Sequence, residues 1–278
     1  MDESEESDAP EESWKTEDLI PKNTIIEAFG IKPWLATIVM RGMAIPKLNK
    51  FFRTLLPVDS KQELFTKALK EMNISLDIDQ KFYEQLPDGP FFTISNHAYG
   101  LLDGVILISE IGKKHPDFKV TANYLLSRIK AVNDFFVPVN PFDRLKKAHM
   151  GGTIAVMRLI EKGTPVGLFP AGEVATRYKG SREITDRPWM ISVFRLIAIA
   201  QVPVIPVFFR GTNSPKFHRL GRLHPLLRTW RLIKEWHNKR NKTIRMETGD
   251  IIYPDEYNKY ETPEEKREFF RQKVYDLK

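Results

Sequence analysis

The chain of 278 residues contains no cysteine. That absence excludes a disulfide framework, a thiolate metal site and a cysteinyl acyl-enzyme, and it suits a cytosolic face. Apart from His97, the histidines (His115, His149, His218, His224, His237) are scattered without metal-ligand spacing, so no metal and no bound cofactor is expected. No glycine-rich phosphate loop and no Gly-x-Ser-x-Gly elbow occurs. Long apolar runs are missing as well. Stretches such as Trp34 to Met40 fall well short of the roughly 18–20 residues that a spanning helix needs. The N-terminus is acidic, unlike a secretory leader. A protein of this kind would meet a membrane at its surface.

Acids are scarce outside one stretch. Residues 1–18 hold nine Asp and Glu against the single base Lys15, and they read as a disordered, low-complexity tail. The whole chain carries +7, but the remainder has 42 Lys and Arg against 27 Asp and Glu, or +15. A body this basic calls for anionic partners: nucleic acid, anionic lipid headgroups and an acidic acyl carrier protein all fit its charge. No nucleic-acid module is recognisable, so nucleic acid is not an expected partner.

Behind the tail, residues 19–75 form a helical segment in which apolar patches alternate with Lys32, Arg41, Lys47, Lys50 and Arg53, and Pro33 and Pro46 punctuate it. It is either interfacial or packed on the domain's own sheet. Lys61 to Asn73 has the apolar stripe Leu64, Phe65, Ala68, Leu69 and Met72 of an amphipathic helix. Residues 76–278 alternate short apolar strands with helices. Strands are expected near 91–94, 119–122, 135–139, 165–169 and 204–209, and one or two within 243–253. Helices are expected near 105–111, 124–132, 145–159 and 188–200, and from Pro263 to the end. Thr262-Pro263-Glu264-Glu265 is a capping box with proline at the first helical position. This alternation predicts an α/β fold with a mostly parallel, helix-covered central sheet and an N-terminal helical segment.

Phe91 to Gly104 is where chemistry enters. The strand Phe91 to Ile94 follows the turn Pro87-Asp88-Gly89-Pro90, and His97 lies where it gives way to a helix that contains Asp103. Such junctions are where open α/β sheets bind ligands. Imidazole can take the proton of an attacking hydroxyl, and a carboxylate can orient the ring and stabilise the imidazolium. Taken alone, a histidine that closes a loop through a hydrogen bond has the same pattern.

Three blocks together add to this. Asn96-His97 with Asp103-Gly104, then Phe169-Pro170-Ala171-Gly172-Glu173, then Val202-Pro203-Val204-Ile205-Pro206-Val207 resemble motifs of the glycerolipid and lysophospholipid acyltransferase family, in that family's order and over residues 87–211. The family usually has four residues between His and Asp, whereas five stand here. Ala171 replaces the glutamate of the family's Phe-Pro-Glu-Gly motif, and an acid follows as Glu173. Both features resemble the bacterial branch labelled haemolysin, which includes acyltransferases of ornithine- and glycine-type aminolipids.

The resemblance implies an O-acyltransferase that moves a fatty acyl group from acyl carrier protein or coenzyme A to the hydroxyl of a lyso-lipid. His97 is then the base and Asp103 its orienting partner. Attack is direct, since Ser95 has no activating partner beyond His97. The loop from Gly172 through Glu173 to Arg177 is implied to bind the acceptor headgroup, with Asn96 positioning the loop or touching substrate. Glu173 and Arg177 could equally form an ordinary surface ion pair.

The family's second motif ends in an arginine that holds an acceptor phosphate. Here the matching strand runs into Asn140-Pro141, and Arg144 comes later. That favours a lyso-aminolipid carboxylate, which one arginine can bind bidentately, over lysophosphatidic acid. From Lys216 to Lys242, nine Lys and Arg face one acid, Glu235, with Trp230 and Trp236 among interleaved apolar residues. With Trp34, these suit docking on an anionic membrane surface or a solvated face over a core helix. The implied location is peripheral, on the cytoplasmic face of a bacterial inner membrane. A non-catalytic membrane-binding protein on the same fold is the alternative of another class.

Overall fold

The structure, a computed structural model, describes residues 13–123, 126–139, 146–178, 180–181 and 183–278. Four helices come first: α1 (Lys22–Phe29), α2 (Pro33–Met43), α3 (Ile45–Leu55) and α4 (Glu63–Glu71). Strand β1 (Ser75–Ile78) and helix α5 (Gln80–Gln85) lead to β2 (Phe92–Ser95) and α6 (Leu101–Ile111). Then come β3 (Lys119–Asn123), β4 (Phe136–Val139), α7 (Lys146–Glu161) and β5 (Val166–Leu168). A small hairpin, β6 (Thr176–Arg177) and β7 (Ile184–Thr185), precedes α8 (Ile191–Ala200) and β8 (Val204–Phe209). The chain ends with α9 (Pro215–Leu223), α10 (Pro225–His237), β9 (Thr243–Thr248), α11 (Pro254–Tyr257) and α12 (Pro263–Tyr275).

Seven strands form one sheet in the order β1-β9-β8-β2-β5-β3-β4. All neighbours are parallel except β8 and β9, so β9 and β1 run against the other five. Both faces of the central strands are covered, so every residue of β2, β5 and β8 is buried, and β8 is a continuous apolar run rather than an alternating one. Along β8 the side chains divide with period two. Ile205, Val207 and Phe209 join the core shared with α1–α4, α6 and α10, while Val204 and Phe208 join the core shared with α7, α8 and α12.

The segment 19–75 therefore packs on the sheet. Ile25, Ala36 and Ile45 are fully buried in the first of these cores. Prolines punctuate it as the sequence implied, with Pro33 opening α2 and Pro46 lying in the first turn of α3. One side of α2 nevertheless stays bare: Trp34 is 63% exposed and Ile38 58%.

Several elements differ from expectation. The sequence showed no strand at 75–78, yet β1 extends the sheet beside β9, in parallel register from Ser75 opposite Thr243 to Ile78 opposite Met246. The hairpin β6–β7 and the short α5 were also unexpected. Where one helix was expected over 124–132, the described residues form a 3₁₀ turn at Leu126–Arg128 and a second at Asn133–Phe135. Trp236 needs a correction. It is 4% exposed and packs edge-on against Phe51 inside the core, so it cannot serve as a membrane anchor. Trp230 on the same helix is 37% exposed.

The carboxyl ends of β5, β2 and β8 lie side by side, and the segments leaving them meet there. One junction residue is constrained in particular. Gly211, just after β8, has φ +112°, and a Cβ on it would lie 2.0 Å from the Tyr99 hydroxyl. Gly211→Ala should therefore lower stability by about 2 kcal/mol or more, through backbone strain and overpacking. Denaturant unfolding of the purified variant measures this, and a midpoint equal to wild type would contradict it.

Candidate active site

Helix α6 begins at Leu101, and Asp103 occupies its third position. The Asp103 carboxylate accepts hydrogen bonds from the Tyr99 N–H (2.9 Å) and the Gly100 N–H (3.0 Å), two donors that the helix start leaves without intrahelical partners. Gly100 makes the turn possible with φ +89°. The backbone donors at the helix start thus fix the carboxylate from one side.

The same carboxylate lies 2.9 Å from His97 Nδ1. An ionised carboxylate can only accept, so Nδ1 carries the proton and donates, and Nε2 is left with a free lone pair. Asp103 is fully buried, whereas the His97 side chain is 18% exposed. The ring lies against Phe169, 4.3 Å between centroids. This is the arrangement of a general base with an orienting acid behind it.

The backbone of His97 is gripped from the segment after β5. Its N–H donates to Asp186 Oδ1 at 3.2 Å, and its C=O accepts from the Ala175 N–H at 2.7 Å. Asp186 also accepts from the Trp189 indole N–H at 3.0 Å, and its own N–H donates to the Tyr275 hydroxyl at 3.3 Å. Burial pushes the Asp186 carboxyl above the usual range, against the pull of the indole and His97 donors. The sequence reading missed Asp186. Its role depends on a contact across 89 positions, and no local signal marks it.

Asn96 splices two strand ends. Its Nδ2 donates to Phe209 O (3.1 Å), and its Oδ1 accepts from the Phe209 N–H (2.8 Å). One donor and one acceptor site of a buried amide are thus committed to the backbone of β8, which makes Asn96 a positioning residue. Tyr99 is fixed similarly: its hydroxyl donates to Arg210 O, and its C=O accepts from Asn213 Nδ2. Burial and the Asp103 charge push its phenol up to about 12. Lys239, itself buried, sits 4.9 Å over the Tyr99 ring and donates to Asn213 Oδ1. Burial lowers its pKa, while the charges of Glu235 and Asp103 oppose that shift.

The loop after β5 does not form the Glu173–Arg177 ion pair that the sequence allowed. Gly172 has φ +68° and closes a turn through its N–H to Phe169 O. Glu173 does not pair with Arg177. Its carboxylate is held by Arg228 (2.6 Å) and Arg187, with the Tyr178 hydroxyl donating at 3.1 Å, so it anchors α10 to the loop. Arg177 instead turns to a cavity beneath α9, and its Nε is buried without a partner. Asn140 and Arg144 lie outside the described residues.

The chain matches the family model described as acyltransferase over residues 33–278. It is 29% identical over 234 residues to a lyso-glycine lipid O-acyltransferase of Bacteroides thetaiotaomicron, covering 79% of this chain and 82% of that one. A protein of the same name from Phocaeicola vulgatus is 26% identical over 245 residues, covering 83% of each. Among solved structures, the 1-acyl-sn-glycerophosphate (LPA) acyltransferase PlsC from Thermotoga maritima aligns with TM-score 0.48 and 13% identity, over 87% of this chain and 94% of that one.

The clamp on His97 generates a test. Asp186→Ala removes the acceptor for the His97 N–H and should lower kcat at least tenfold with little change in KM. Asp186→Asn keeps one carbonyl oxygen and should recover part of the loss. Steady-state kinetics on the two variants measure this, and wild-type kcat in the alanine variant would show the contact to be idle.

Proposed function

The chain belongs to the acyltransferase family, and from that premise we propose that it transfers a fatty acyl group from a thioester to the hydroxyl of a lyso-lipid. The observation that carries the reading is the His97–Asp103 pair, with Nδ1 committed to the buried carboxylate and the His97 side chain still partly exposed. The hydroxyl of the acceptor gives its proton to Nε2 as its oxygen attacks the thioester carbonyl. Asp103 stabilises the imidazolium that forms. Collapse of the tetrahedral intermediate breaks the C–S bond, and the imidazolium returns the proton to the departing thiolate. No covalent enzyme intermediate is needed. The thiol carrier is acyl carrier protein or coenzyme A.

For the acceptor, the reading is a lyso-aminolipid: the 3-hydroxyacyl amide of glycine or a related amino acid. The two relatives named as lyso-glycine lipid O-acyltransferases support it. His97→Ala should lower turnover by about 10²–10⁴-fold without unfolding the protein. Labelled acyl donor offered with lyso-glycine lipid and lysophosphatidic acid in competition, with products identified by mass, should give mainly the diacyl aminolipid. Exclusive phosphatidate formation would reject the aminolipid, and normal turnover by the alanine variant would reject the base.

An acceptor of this kind is insoluble, so the site must work against a lipid surface. Among the described residues, no helix is long and apolar enough to cross a membrane. Trp34 and Ile38, one turn apart on α2, are exposed together with Phe29 at the end of α1 and Leu223, Leu227 and Trp230 on α9 and α10. Trp230 lies close to Gly42, so the bare sides of α2 and α10 adjoin. Lys32, Arg41 and Lys234 are exposed on the same helices. Apolar area flanked by cations suits peripheral docking on an anionic leaflet, with about 1 kcal/mol from each cation near the surface, screened by salt. The location this implies is the cytoplasmic face of a bacterial inner membrane. Wild-type protein should co-sediment with anionic liposomes, dissociate in high salt, and bind less after Trp34→Ala and Trp230→Ala. Undiminished binding by that double variant would place the docking surface elsewhere.

A further inference from the structure

The arginines beside the His97 loop divide into two sets by what faces them. Arg187 and Arg228 close on Glu173, and Arg231 closes on Glu235. Arg177, Arg219 and Arg222 have no carboxylate within ion-pairing distance among the described residues. All three line one cavity of about 440 Å³, together with Thr212, Asn213 and His218. Three guanidiniums around one cavity make a positive field that suits an anion. The buried Nε of Arg177, a donor with no acceptor, points to the same missing partner.

His218 forms the wall rather than a ligand. Its Nε2 lies 3.1 Å from Asn213 O and 2.8 Å from the Thr212 hydroxyl, and its Nδ1 lies 3.4 Å from the Thr176 hydroxyl. Burial, with Arg177 and Arg228 nearby, holds its pKa below the ordinary value, so the ring is neutral at pH 7. The positive charge in the cavity therefore belongs to the three arginines, which do not titrate.

The cavity adjoins the catalytic loop through two of its walls. Arg177 stands two residues beyond Ala175, whose N–H binds His97 O, and Asn213 donates to Tyr99 O. A 3-hydroxyacyl glycine carries its carboxylate only six bonds from its hydroxyl, so a site that selects it must adjoin the loop that carries the base, as this cavity does through Ala175 and Asn213.

We propose that Arg177, Arg219 and Arg222 form the subsite for the acceptor's carboxylate, placing its hydroxyl at His97. This rests on the lyso-aminolipid reading above and adds what selects the headgroup: two arginines of α9 in addition to Arg177, with Glu173 taking no part. The carboxylate would take the Arg177 donor that now lacks a partner, and the guanidinium pair on α9 would close over it from the solvent side.

The test is a binding measurement that needs no turnover. A soluble short-chain N-(3-hydroxyacyl)glycine and its methyl ester are titrated calorimetrically into wild-type protein and into Arg219→Gln/Arg222→Gln. Both substituted side chains lie on the outer side of α9, and thermal melting verifies that the variant is folded. The acid should bind wild type at least tenfold more tightly than the variant, and the ester should bind both with the same weak affinity. Equal binding of acid and ester to wild type, or of the acid to both proteins, overturns the proposal. So does a variant that loses affinity for coenzyme A instead, which would make the cavity the donor's. Tighter binding of short-chain lysophosphatidic acid than of the acid, through the same arginines, overturns the carboxylate assignment. Acid binding as expected with no acyl transfer would reject the transfer reaction while leaving the anion subsite standing.

Discussion

The rest of the site depends on one buried carboxylate. Asp103 is fully enclosed, yet three N–H groups converge on it: those of Tyr99, Gly100 and the His97 ring. A buried polar group must be hydrogen-bonded, and here the donors include ones that a helix start leaves unsatisfied. The bonds that cap α6 are thus the same bonds that fix the tautomer of the base. The fold and the chemistry share a group, so the loop between them has one geometry available.

That loop is then held from three directions. Asn96 ties its start to the end of β8, Ala175 and Asp186 grip the His97 peptide from the β5 side, and Asn213 holds Tyr99 from the α9 side. Each clamp comes from a segment that leaves a neighbouring parallel strand. Three adjacent carboxyl ends supply a concave edge, and the side chains leaving them converge without any one segment having to provide the whole site.

The basicity of the chain resolves into two parts. Much of the charge on α10 is neutralised by acids that occur singly in the sequence: Glu173 holds Arg187 and Arg228, and Glu235 takes Arg231 and the Ser214 cap of α9. Among the described residues, Arg177, Arg219 and Arg222 at the cavity by α9, and Lys32, Arg41 and Lys234 beside the bare sides of α2 and α10, are left without a carboxylate at ion-pairing distance. The acids therefore act as much by selecting where positive charge stays available as by stabilising the fold.

The sequence alone determined the elements whose cause is local. The strands β2, β5 and β8, the Thr262–Glu265 capping box and the prolines that open α2 and α12 are all written in consecutive residues, and the structure places them as expected. His97 and Asp103 were legible for the same reason, since a strand end and the next helix start bring them together within one loop. Tertiary structure decided whatever depends on a distant partner. β1 has few residues of its own and exists because β9 offers it an edge. Glu173 and Arg177 are near neighbours in sequence, but Arg228 of α10 and Arg187 take the one while the other turns to the cavity beside α9. Trp230 and Trp236 belong to one helix, yet six positions at about 100° each leave them about 120° apart. One therefore faces outward and the other packs on Phe51. Local propensity and spacing fix what an element is, and only its packing decides which side of it is left to act.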